Sequence, residues 1–332
     1  MNGNEGKDSL KKSLILLSDR AEDKVFAEQV CKVTGLHLKT TAEPKEAVQA
    51  LSQDAHPVIF VDGSTEKLYT NFEESVGKSL GIFSEKVQPN AIHFLTDDEV
   101  SQAPFLAQSQ ILGNFVTRDP EDCIASGRHY GRIVRAATRS TPFDLSEVFQ
   151  KDAKTQAIAI DSVTHKQKTL EAVKAYLLAA NWTPRAANRI TSSVDEILMN
   201  AFYDAPLAAG LTSDATYPSL NVNEMAKKAN VTLRLAFDGV YFGVSVTDFY
   251  GSLDKGRLMK HIAKEFSKSE YKVKASSFNA GIGLSIVHQT GGSLLFMSQT
   301  NVKTEAMLFF KKTDKFKDFK RQFRFVSTQF YF

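Results

Sequence analysis

Cysteine is nearly absent: Cys31 and Cys123 are the only two in 332 residues. They share no metal-like spacing and cannot build a disulfide framework. Long apolar runs are missing as well, and none approaches the ~20 residues that a membrane-spanning helix needs. The opening segment MNGNEGKDSLKKS is polar and lacks the apolar centre of a signal peptide, so a cytoplasmic protein with no stable membrane insertion is expected. Charge of either sign is not in excess: 41 Lys and Arg stand against 38 Asp and Glu, a net +3 that argues for no nucleic-acid partner. Internal repeats and low-complexity tracts are absent too. What remains is the composition of a globular protein, 42% hydrophobic and 24% charged, with length enough for two domains.

Residues 1–125 alternate short apolar runs with helical patterns. SLILLSD, HLKTT, PVIFVDG, AIHFLTDD and GNFVTRD read as five strands. The stretch from Asp23 carries apolar residues at helical spacing and stops at Gly35; Pro44 opens a second short helix. Such alternation predicts a doubly wound parallel sheet, whose ligands bind at the carboxyl ends of the strands. The residues at those ends are Asp19, Asp62, Thr96 and Arg118. Residues 126–150 read as a helix followed by a linker, STPFDLSEVF.

Residues 151–332 have a different rhythm. A strand, TQAIAID, leads into two amphipathic helices, the second with Thr183 as N-cap and Pro184 in its first turn. On that helix Glu196 and Asn200 are four residues apart and share a face, with Asp204 four further on. An Asn carbonyl with phosphate oxygens and waters suits Mg²⁺, and a nearby carboxylate suits proton abstraction; the plainer alternative is a solvated helix face. VTLRLAFDGVYFGVSVTD reads as a hairpin turning at Asp238-Gly239 and ending in Asp248, with Gly251 in the turn that follows. A strand-end carboxylate can accept a hydrogen bond from an exocyclic amine. Residues 266–280 read as a polar lid with Lys268, Lys272 and Lys274. Gly281 and Gly283 then precede a helix whose N-terminal N–H groups suit a phosphate. A second hairpin, SLLFMSQ with TEAMLFFKK, contains Thr304. The tail holds seven Lys and Arg and six Phe between 311 and 332, and its alternating end reads as a strand packed on its own domain.

Taken in order, DEILMNAF, VTDFYGSL, GIGLSIV and NVKTEAMLFF resemble the N box, two glycine boxes and closing strands of the Bergerat-fold ATP-binding domain. That fold is shared by histidine kinases, gyrase-type ATPases and anti-sigma-factor serine kinases, and the resemblance covers about residues 150–312. It implies an α+β two-layer domain that binds ATP and Mg²⁺. Asn200 would hold Mg²⁺, Glu196 would be the general base and Asp248 would hold the adenine amine. Gly251, Gly281, Gly283 and the adjoining backbone at Leu284 would approach the nucleotide, with Thr304 supporting adenine through water. Tyr250 stands where the family's first glycine box has a glycine, and Asp204 where it has a basic residue.

The first five strands are similar to a bacterial response-regulator receiver. By that likeness Asp62 would accept a phosphoryl group, Asp19 and Asp62 would bind Mg²⁺, Thr96 would be the switch hydroxyl and Arg118 would replace the family's Lys. Ser18 stands in place of a second acid. The whole implies a signalling protein in which a receiver-like domain regulates a kinase-like domain that phosphorylates or sequesters a regulatory protein partner. The order of elements before the N box is nearest the anti-sigma-factor serine kinases. A non-catalytic binding module, docked or homodimerised through a pseudo-receiver, is the alternative.

Overall fold

The computed structural model describes residues 12–53, 57–81, 89–97, 111, 113–119, 121–139, 141–150, 152–210, 231–253 and 291–331. Its strands and helices follow the sequence pattern closely at first. β1 (Ser13–Leu17), β2 (His37–Thr41), β3 (Val58–Asp62), β4 (Ile92–Thr96) and β5 (Asn114–Thr117) alternate with α1 (Ala21–Thr34), α2 (Pro44–Gln53) and α3 (Glu66–Leu80). α4 (Cys123–Ala137) follows β5. The five strands pair in parallel in the order β2-β1-β3-β4-β5. β3 and β4 are buried along their whole length, as strands covered on both faces must be.

The second half continues with α5 (Leu145–Val148), β6 (Lys154–Ile160), α6 (Val163–Ala179), α7 (Pro184–Met199), a single π turn at Asn200–Asp204 and α8 (Ala205–Ala208). β7 (Val231–Phe237) and β8 (Tyr241–Asp248) form one antiparallel hairpin, and β9 (Ser293–Gln299) and β10 (Lys303–Lys311) another. The first turns at Asp238, whose Oδ1 accepts from the N–H groups of Val240 and Tyr241, and at Gly239 with φ 88°. The chain closes with α9 (Phe316–Phe319) and β11 (Phe325–Tyr331).

The expectation of a five-stranded doubly wound sheet followed by a separate two-layer α+β domain is overturned. All eleven strands join one mixed sheet, in the order β2-β1-β3-β4-β5-β11-β9-β10-β8-β7-β6. The junction is β11, which pairs antiparallel with β5 and parallel with β9. Its buried polar residues fix that position. Asn114 donates to the carbonyls of Asn90 and Ile92, and its Oδ1 accepts from Ser327 Oγ at 2.6 Å and Gln329 Nε2 at 3.3 Å. A buried amide with partners on both wings of the sheet penalises any slip of β11, because each lost partner would leave a desolvated polar group.

Helices cover both faces of this sheet. α1, α4 and α5 pack on one side, and α2, α3, α6, α7 and α9 on the other. α1 and α4 approach closely at Gly127 and Gly131, where an added Cβ would lie 2.8 Å from Phe26 O and 2.9 Å from Val33 Cβ. The segment read as a linker is docked: Phe143, Leu145, Val148 and Phe149 are all buried in the same cluster as Met307 and Phe309 of β10. Among the described residues no helix is long and apolar enough to cross a membrane.

Candidate functional site

Two carboxylates end neighbouring wings of the sheet, Asp62 on β3 and Asp248 on β8. Around Asp62 the parallel wing gathers three further charged strand-end groups. Asp62 Oδ1 accepts from Ser64 N–H at 3.0 Å, from Ser64 Oγ at 2.6 Å and from Arg118 Nη2 at 2.9 Å. Its Oδ2 lies 3.4 Å from Arg20 Nε. Arg118 also grips Asp23 with two bonds, 2.6 and 2.7 Å, and reaches Asp97 at 3.1 Å. Arg20 takes Asp97 in a second two-pronged pair, 2.6 and 2.7 Å. Burial pushes the Asp62 carboxyl up, but the Ser64 bonds and the Arg118 charge outweigh it and hold its pKa below the ordinary value. Burial likewise opposes the Arg118 charge, and Asp23 and Asp62 more than restore it.

The sequence placed Asp62, Thr96 and Arg118 at this end of the sheet, and the fold brings them there; Arg118 N–H donates to Thr96 O at 2.8 Å. Asp19 is a different case. It is exposed and stays out of the cluster, whose acid from this region is Asp23 in the first turn of α1, bonded by Ser18 Oγ at 2.6 Å. The sequence reading missed Arg20, Asp23, Ser64 and Asp97. An acid in the first helical turn is favoured by the helix dipole alone, so Asp23 carries no distinctive signal. Because two guanidiniums already face Asp62, its oxygens do not fit a Mg²⁺ as arranged. Among the described residues no three His, Cys, Asp or Glu side chains form a metal-ligating group.

Around Asp248 the arrangement is different. Asp248 and Thr304 are direct cross-strand partners on β8 and β10. Strand alternation puts both on the face that Val244, Val246 and Leu308 share with α7. Asp248 is buried, and burial pushes its carboxyl up to about 6, with backbone groups of Tyr250, Gly251 and Thr304 pulling the other way. The Tyr250 N–H bond to Oδ1 is 3.0 Å long, so the carboxylate also caps the turn after β8. No positive side chain bonds it. The Thr304 hydroxyl is buried with no hydrogen-bond partner among the described residues.

Glu196 and Asn200 stand above this face at the end of α7. Both are half-buried, and neither side chain has a hydrogen-bond partner among the described residues. Burial and the negative charges of Asp195 and Asp204 raise the Glu196 pKa, with Lys166 opposing. Lys166 Nζ is bonded instead to Asp195 at 2.5 Å. The helix does not run on to Asp204 at regular spacing. It widens at Asn200 into the π turn, closed by Ala205 N–H on Asn200 O. Pro206 explains this: it has no N–H to donate and its ring crowds the preceding turn, so a regular helix cannot pass through. The π turn packs against β8 and so delivers Asn200 toward the Asp248 end. Ser252 Oγ ties the turn after β8 to Ala205 O at 3.0 Å.

Gly251 has a local structural duty. Its φ is 58°, and a Cβ there would lie 2.3 Å from Gln299 O and 2.5 Å from Val302 N. The β9–β10 turn therefore presses on it, and Asn301 N–H donates to its carbonyl at 3.1 Å. Tyr250 packs its ring partly into the core. Gly281, Gly283 and Leu284, with the lid lysines 268, 272 and 274, lie outside the described residues. No protein-family model matches the chain, and no curated protein matches it.

Proposed function

We propose that this chain is a nucleotide-binding signalling protein of the cytoplasm, acting on a regulatory protein partner, with ATP and Mg²⁺ bound at the Asp248 end of the sheet. The observation that carries the reading is the pairing of a buried, cation-free carboxylate, Asp248, with the unpartnered hydroxyl of Thr304. Buried polar groups without partners are costly and call for a ligand or water. An exocyclic amine donating to Asp248, and a ring nitrogen or water meeting Thr304, would satisfy both.

The Asn200 amide has no competing protein bond and fits one position of a Mg²⁺ shell completed by phosphate and water. When bound, Mg²⁺ would neutralise charge on the phosphates. Glu196, with a raised pKa and no hydrogen bond to occupy it, suits the orientation or deprotonation of a partner's hydroxyl. Asp248 orients the base, and the π turn sets where Asn200 projects.

A second reading, a non-catalytic binding module, is favoured by the other wing. Arg20 and Arg118 fill the place a cation would need beside Asp62, so we read that wing as a docking element locked by its own guanidiniums. Titration with a fluorescent ATP analogue, with and without Mg²⁺, tests the first reading. Binding that depends on Mg²⁺ in the wild type and loses that dependence in Asn200→Ala is expected; unchanged dependence would remove Asn200 from the metal. For the second, incubation with acetyl phosphate should leave the intact mass unchanged, and a phosphoryl adduct lost in Asp62→Ala would refute the locked wing.

A further inference from the structure

The positive charge of the chain is concentrated on one surface, far from both strand-end sites. Arg185 and Arg189 project from the first turns of α7, and Lys315, Lys317, Lys320 and Arg321 from the segment between β10 and β11. All six are exposed, and none has an ion-pair partner among the described residues. Only Asp314 and Asp318 lie in the same segment, so six cations face two acids, a larger surplus than the +3 of the whole chain. The cations are also held in place. Arg185 lies over the Phe316 ring at 5.1 Å and Lys320 over it at 5.6 Å, which ties α7 to the 312–324 segment. Six unpaired cations in one place repel one another, and an anionic partner would relieve that cost.

We infer that this surface docks an Asp/Glu-rich segment of a partner protein. Three features favour it over other polyanions. α9 has four residues, too few to enter a nucleic-acid groove as a reading helix. The Phe316 ring is occupied by the protein's own cations and gives no free platform for bases. Phe319 is buried, and none of the exposed large apolar side chains belongs to the patch, so it has no anchor for a lipid surface. Three arginines, by contrast, present planar forks that match carboxylates. The patch begins ~22 Å along α7 from Asn200, at 1.5 Å per residue, so this inference does not rest on the nucleotide reading.

The test is fluorescence anisotropy of the full chain with a labelled Glu-rich peptide, a labelled oligo(dT) and phosphatidylserine vesicles. The peptide should bind, with affinity falling as salt rises. The triple variant Lys315→Glu/Lys317→Glu/Lys320→Glu should weaken it about tenfold or more, and the Gln triple variant by less. Both variants should keep the wild-type melting temperature, because the replaced side chains have no ion-pair partners to lose. No peptide binding at low salt, equal binding by the Glu triple variant, or preference for the oligonucleotide or the vesicles would each overturn the proposal.

Discussion

Asp62 and Asp248 occupy similar places, each the last residue of a buried strand, yet their surroundings are opposite. Asp62 is met by two guanidiniums and a serine, and its pKa is lowered. Asp248 is met by backbone groups alone, beside an unpartnered threonine, and burial pushes it up to about 6. One end of the sheet is electrostatically complete within the chain; the other is incomplete without something added. A strand-end carboxylate is thus not a site in itself. What decides its role is whether the fold also delivers a counter-charge to it.

The comparison can be broken most forcefully at Arg118. Its guanidinium is almost fully buried and serves Asp23, Asp62 and Asp97 together. Arg118→Ala would strand two buried carboxylates and is expected to destabilise the fold by about 3–5 kcal/mol in urea unfolding. Arg118→Lys should recover only part of this, since an ammonium cannot grip Asp23 with two parallel bonds.

Next in size is the pH dependence of Asp248. Its folded pKa is raised from 3.8 to about 6, so its contribution to stability is fully present below about pH 4 and is lost as pH rises through 6. The span corresponds to about 3 kcal/mol. Unfolding followed from pH 4 to 7 should show this slope in the wild type and not in Asp248→Asn. Asp62 carries the opposite sign: its lowered pKa stabilises the fold above the ordinary carboxylate range, and that stability is lost as pH falls through the folded value. Asp62→Asn should therefore flatten the acid limb and leave the slope near pH 6 intact.

A smaller effect, about 1–3 kcal/mol, is expected where the two wings are stitched together. Asn114→Ala removes the amide shared by the β4 side and β11, and leaves Ser327 and Gln329 short of a partner. Hydrogen exchange in β11 should rise in that variant before exchange in β3 does.

Much of the fold was legible in the sequence. The period-two and helical patterns located the strands and long helices, and Asp238-Gly239 and Gly35 marked a turn and a helix end where the backbone takes positive φ. The alternation of RQFRFVSTQFYF also announced a strand. Which strands it would join was not legible, because pairing with β5 and β9 depends on partners far away in the chain and not on local pattern. The same limit hid the site around Asp62. Arg20 and Asp97 look like surface charges until the fold brings them together across 77 residues. On the other wing, the spacing of Glu196 and Asn200 and the end of β8 were readable. The π turn was not, although Pro206 six residues after Asn200 was its signal.

The account stands or falls on the claim that the two strand ends differ in what they need. Parallel ATP titrations of the wild type, Asp248→Asn and Asp62→Asn in the presence of Mg²⁺ test it most directly. The expected result is saturable binding by the wild type and Asp62→Asn, weakened about tenfold or more in Asp248→Asn, as for the loss of a hydrogen bond to a charged group. Equal affinity in all three proteins, or no binding at millimolar nucleotide, would contradict it.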